Sequence, residues 1–153
     1  MQHASQSLQS GQDHRGVPLS YGARDAADGF EHALDAALAF RGDAVAIIEG
    51  VLDEHPDFVM GWLFKAAWLT QAMETRIYDE MIAALNEAEK RIDRANDRER
   101  GHFEAVQAWV RGDFFGAVQK WEAVLTAYPM DLFALALVHY TDVLLGDVVG
   151  QVI

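Results

Sequence analysis

Six histidines and twenty-four carboxylates are the residues of this 153-residue chain with the chemistry for metal binding or acid–base catalysis, and their spacing decides what they can do. A helical di-metal carboxylate site takes two Glu-x-x-His pairs and two further glutamates. Only Glu99-Arg100-Gly101-His102 has that form. Glu99 also lies three residues after Asn96, where it can close a helix-capping box, so it already has a structural task. No metal and no cofactor is therefore expected. His3 and His14 fall in a polar N-terminal stretch, where exposure is the plainer reading. There is no Gly-x-Ser-x-Gly, no His-Glu-x-x-His and no phosphate loop, and without cysteine neither thiol catalysis nor a disulfide is available. No catalytic residue is assigned. The two Arg-Gly-Asp triplets, at 41–43 and 111–113, read as punctuation between helices and not as an adhesion signal.

The elements that would position these residues are helices. Residues 1–20 are rich in Gln, Ser, Gly and His without periodicity, and are expected to form a flexible tail or an extended strap over the first helices. From Ala23 the pattern changes: Ala26, Ala27, Phe30, Ala33, Leu34, Ala37, Leu38 and Phe40 recur at helical spacing up to Arg41-Gly42, with Gly29 a weak point. Helices are expected from Ala44 to about His55, from Asp57 through Leu69, and from Ile77 to Arg94. Further helices are expected after the Asn96–Glu99 box, containing Phe103, Val106 and Trp109 and ending at Gly112, and over about 114–128 and about 131–145. The helix from Asp57 is apolar on more than one side and should be buried between neighbours.

Spacing within the last stretch specifies an architecture. Gly112-Asp113 recurs as Gly146-Asp147, a step of 34 residues, with Ala117, Trp121 and Pro129 between them at offsets five, nine and seventeen from Gly112. That is the period of tetratricopeptide repeats, in which two antiparallel helices enclose a small residue and a large aromatic. Each Gly is expected to end a helix and each Asp to cap the next. Glu49-Gly50-Val51-Leu52 with Pro56 repeats as Glu122-Ala123-Val124-Leu125 with Pro129, a separation of 73 residues, or about two periods. The expected fold is all-α: antiparallel helix pairs stacked as a tetratricopeptide-like right-handed solenoid of about seven helices over residues 21–153. No C-terminal capping helix is read. The last helix face, including Leu137, Leu144 and Leu145, is therefore expected to be exposed and to offer a homodimer interface.

Several of these segments together resemble the family named for tetratricopeptide-repeat protein 38. They are the Ala-rich helix ending Phe40-Arg41-Gly42-Asp43, the corner His55-Pro56-Asp57-Phe58, Arg98-Glu99-Arg100-Gly101-His102, Ala108-Trp109 before Gly112-Asp113, and Trp121-Glu122 leading to Tyr128-Pro129. The resemblance spans about residues 22–149 and covers the N-terminal part of such proteins. It implies a helical-repeat array and an interaction role, and it carries over no catalytic residues.

In such arrays the first helix of each pair lines the concave face. That placement makes Glu99, His102, Val106, Trp109, Phe133 and Tyr140 the candidate contacts for a protein or peptide partner. The alternative is an enzyme or small-molecule binder with a pocket around Glu99, His102 and Trp109. Trp62, Trp68 and Trp121 are read as packing residues. A net charge of -12 repels phosphate backbones and anionic lipid, the opening segment lacks the apolar core of a secretory signal, and no apolar run reaches transmembrane length. The expectation is a cytoplasmic protein that engages neither nucleic acid nor membrane, with a partner of basic character.

Overall fold

Helix ends in this chain are set by short-range bonds that the sequence announces. Asn96 accepts from the Glu99 amide at 2.8 Å while Glu99 Oε1 accepts from the Asn96 amide at 3.0 Å, closing the capping box. Asp113 accepts from the Gly116 amide at 2.9 Å, and Gly112, at φ +83°, ends the preceding helix in the left-handed region. The computed structural model describes residues 9–39, 41–72 and 77–150. Within them it has seven α-helices: α1 Arg24–Leu38, α2 Ala44–Glu54, α3 Val59–Leu69, α4 Tyr78–Glu89, α5 Asp97–Val110, α6 Phe114–Ala127 and α7 Leu132–Gly150. Short 3-10 turns follow α3 at Thr70–Ala72 and α4 at Ile92–Arg94. Phe40 and His3 lie outside the described residues.

Chain neighbours pack as pairs, α1 on α2, α3 on α4 and α5 on α6, with α7 against α6 and α3 against α5. Glycine sets how closely two of these pairs approach. A Cβ on Gly29 would stand 2.3 Å from Val51 Cγ2, and one on Gly101 would stand 2.4 Å from Val124 Cγ2. Val51 and Val124 occupy matching places in the 73-residue repeat, so the same glycine–valine contact closes the first and third pairs. Gly29 is thus a packing residue and not merely a weak point. Ala117 and Trp121, five and nine residues after Gly112, are fully buried; truncating a buried tryptophan costs about 3–5 kcal/mol. Trp62 and Trp68 are half-buried against the same core.

Two expectations fail at the C-terminal end. Gly146-Asp147 is not a turn, because α7 runs through it to Gly150. A glycine inside an otherwise apolar helix lowers helix propensity by only about 1 kcal/mol, and nothing after it breaks the helix. The face expected to be bare is also different. Leu137 is fully buried and Leu144 half-buried, whereas Leu135 and Val143 are exposed; the Leu145, Val148 and Val149 side chains lie outside the described set.

Ahead of the helices lies the one feature that periodicity does not announce. β1 Gln9–Gln12 pairs antiparallel with β2 Pro18–Tyr21, Gly11 facing Leu19, and β2 packs on α1, α3 and α5.

Candidate functional site

The hairpin turn is built on Asp13. Its Oδ1 accepts from the Arg15 amide at 2.8 Å and the Val17 amide at 3.0 Å, and Gly16 takes φ +80° to let the chain reverse. Gly11 leaves room for the Tyr21 ring, whose Cε1 lies 2.4 Å from where a Cβ would stand. From the turn, the Arg15 guanidinium forms an ion pair with Glu31 of α1. From β2, Leu19 enters the core with no exposed surface, and Ser20 is also buried.

Adjacent residues of α5 hold β2 by its backbone. Glu99 Oε2 accepts from the Ser20 amide at 2.9 Å, and Arg98 Nη1 donates to the Pro18 carbonyl at 3.3 Å. Both side chains are buried, Arg98 being 1% and Glu99 0% exposed. A buried guanidinium needs compensation, and Asp131 supplies it: Arg98 Nε donates to Oδ2 at 2.8 Å and Nη2 to Oδ1 at 3.1 Å. Asp131 is at the same time the N-cap of α7, its Oδ1 accepting from the Ala134 amide at 3.0 Å. The His102 Nε2 lies 2.9 Å from Oδ2, and its ring stacks on Phe133 with centroids 5.4 Å apart. Asp13 Oδ2 stands 4.0 Å from Arg98 Nη2, so the turn of the hairpin shares in the same charge cluster.

These environments push the two central carboxyl groups in opposite directions. Burial alone would raise Asp131, but the His102 ring and the Arg98 guanidinium reverse it and hold the group well below the carboxylate range. Burial dominates at Glu99 and raises it, the amides of Ser20 and Asn96 offsetting only part of that. Burial would lower Arg98, but Asp131, with Glu99 and Asp13, raises it, so the guanidinium stays protonated.

Of the six candidate contacts, His102 and Phe133 come together beside Asp131, while Glu99 turns to the Ser20 and Asn96 amides. Val106 is fully buried in the core, and Trp109 turns toward α6, its ring 4.5 Å from Phe114 and 6.4 Å from Trp121. Tyr140 is half-buried further along α7, 5.9 Å from Trp68. The chain's own side chains thus occupy the surroundings of most of these positions. Phe30 of α1 and Phe64 of α3 meet Phe133 of α7 at centroid separations of 6.4 and 4.6 Å. Glu99, His102 and Trp109, expected to border a pocket, are all buried, and they do not line the cleft of about 660 Å³ bordered by Gly11, Gln12, Asp13, Pro18, Tyr21 and Arg24. Glu99 and His102 also point at different partners, so the Glu-x-x-His spacing is not a chelating pair here.

Sequence reading missed Arg98, Asp131, Asp13 and Ser20. A signal existed for two of them. Arg98 sits beside the capping-box glutamate, and Asp131 follows the proline that ends the repeat, where only its capping role is visible from spacing. No protein-family model matches the chain, and no solved structure matches it.

Proposed function

We propose that this chain is a helical-repeat interaction module, a tetratricopeptide-like array that binds an extended segment of a protein or peptide partner along the side formed by α1, α3 and α5. One observation carries the reading: that side already holds an extended segment, β2, through two buried charged side chains bonded to its backbone at Pro18 and Ser20. Main-chain bonds to an extended chain supply affinity in peptide recognition, and pockets for alternate side chains supply selectivity. The net charge of -12 favours a partner with basic flanks, in the cytoplasm, over nucleic acid or anionic lipid. Among the described residues no helix is long and apolar enough to cross a membrane.

The test is an array of eight-residue peptides, each with one central apolar residue, probed with the full chain. Binding that weakens in Glu99→Gln and persists in Phe115→Ser supports the proposal. Phe115 is 64% exposed on α6 and is not among the side chains that bond β2, so binding insensitive to Glu99→Gln would overturn the reading. The alternative, a small-molecule site around Glu99, His102 and Trp109, would instead require ligand-dependent stabilisation by a compound that Trp109→Phe abolishes.

We also propose self-association through α7, favoured by Leu135 and Val143, 46% and 50% exposed on one helix. A monomeric mass by light scattering at high protein concentration would refute it.

A further inference from the structure

We infer that the β2 seat is an exchange site, in which the protein's own N-terminal hairpin is a resident occupant that a partner's extended segment with a central leucine-sized side chain displaces. This rests on the interaction reading above and names the site, the occupant and the chemistry of the partner.

Three observations support it. The array's hydrogen bonds to β2 go to a carbonyl at Pro18 and an amide at Ser20, and the one side chain fully enclosed in β2 is Leu19. Such a seat reads carbonyl, apolar side chain and amide over three consecutive residues, and accepts any extended chain that presents them. Proline fits the first place because only its carbonyl is used. Second, Arg98 and Glu99 each have partners outside the hairpin, besides Asp13 of the turn, which stands 4.0 Å from Arg98 Nη2. Asp131 grips Arg98 with two bonds, and the Asn96 amide holds Glu99 in the capping box. None of these three bonds involves β2, so both side chains keep them when it leaves. Third, the hairpin is a unit of its own. It has its own ladder and an Asp13-based turn, and only Gly22 and Ala23 separate β2 from α1. Its hold outside the seat includes the Arg15–Glu31 ion pair, whose carboxylate lies on α1.

A tethered occupant competes at an effective concentration in the millimolar range, so an added segment binds the intact chain weakly. Loosening the tethered occupant without touching the seat should raise that affinity. The probe is a fluorescein-labelled peptide QDHRGVPLSY, matching residues 12–21, titrated into the full chain and into Arg15→Ala, with fluorescence anisotropy as the readout. The expected result is binding to Arg15→Ala about tenfold tighter than to the unmodified chain, the factor that losing one charge-assisted bond supplies. A peptide with aspartate in place of the leucine should bind neither. Leu19→Ala is the second variant; it empties the side-chain pocket and should shift affinity in the same direction while circular dichroism reports a folded chain.

Equal affinity for the unmodified chain and both variants would overturn the exchange while leaving a peptide site. No binding to any of them would overturn the exchange and the interaction reading together. Dimerisation of Arg15→Ala that excludes the peptide would overturn it in favour of a second copy's hairpin as occupant.

Discussion

Phe30, Phe64 and Phe133 meet in the interior, and Arg98, His102 and Asp131 meet beside them, with Glu99 next to Arg98 on α5, equally enclosed and held by opposite physics. The two groups touch: the Arg98 guanidinium lies 5.6 Å from the Phe30 ring centre, and His102 stacks on Phe133. Aromatic packing joins α1, α3 and α7 chiefly through apolar burial, which is nearly non-directional, the ring-geometry preferences adding only about 0.5–1.5 kcal/mol per pair. The charged group demands one. Each bond there has a donor, an acceptor and a length, and together they fix α5 against the start of α7 and β2 against α5. Bulk stability and the placing of an extended segment are thus separate tasks done by adjacent residues.

Removing the charge partner should have the largest effect. Asp131→Asn leaves Arg98 buried without its carboxylate and should lower the free energy of unfolding by about 3–5 kcal/mol in urea titration. Phe133→Leu keeps most of the apolar volume and loses the ring contacts, for a smaller loss of about 1–2 kcal/mol. The reverse order would break the contrast between the two groups.

Acid should separate the carboxylates. Asp131 is depressed in the folded protein, so its stabilisation is complete above the unfolded-state value of 3.8 and is lost progressively as pH falls below it. Glu99 is raised above 4.5, so its buried charge opposes folding at neutral pH, and protonation on the way down toward 4.5 relieves that. Stability should rise modestly on acidification from neutrality and then fall below about pH 4. Glu99→Gln should remove the rise and Asp131→Asn the fall, as thermal unfolding across that range would report.

Smaller effects distinguish the two Arg-Gly-Asp triplets. Asp113 caps α6 through the Gly116 amide, so Asp113→Ala should cost about 1 kcal/mol. Asp43 makes no capping bond, and its ion pair with Arg41 is exposed, so Asp43→Ala should leave the melting temperature unchanged.

Those triplets also show what was legible in the sequence. Periodicity, Pro56, Pro129 and the Asn96–Glu99 box located all seven helices, because these signals act within a few residues. The same local rule misled at Gly146-Asp147, where repeat spacing suggested a turn and a uniformly apolar helix continued instead. The hairpin gave no pattern to read. Its strands are four residues each, and Ser20 is anchored 79 residues away in sequence, at Glu99. Arg98 and Asp131 were hidden for the same reason: a pair 33 residues apart has no local periodicity. Gly29 and Gly101 became meaningful only when Val51 and Val124 were found against them.

Whether the hairpin opens separately from the helices tests the account most directly, through native-state hydrogen exchange of the Ser20 amide against buried amides of α5 in increasing denaturant. The seat-and-occupant account predicts that Ser20 exchanges by an opening of markedly lower free energy than α5, with little dependence on denaturant. An opening energy and denaturant slope shared with α5 would make the hairpin part of the global unfolding unit and contradict it.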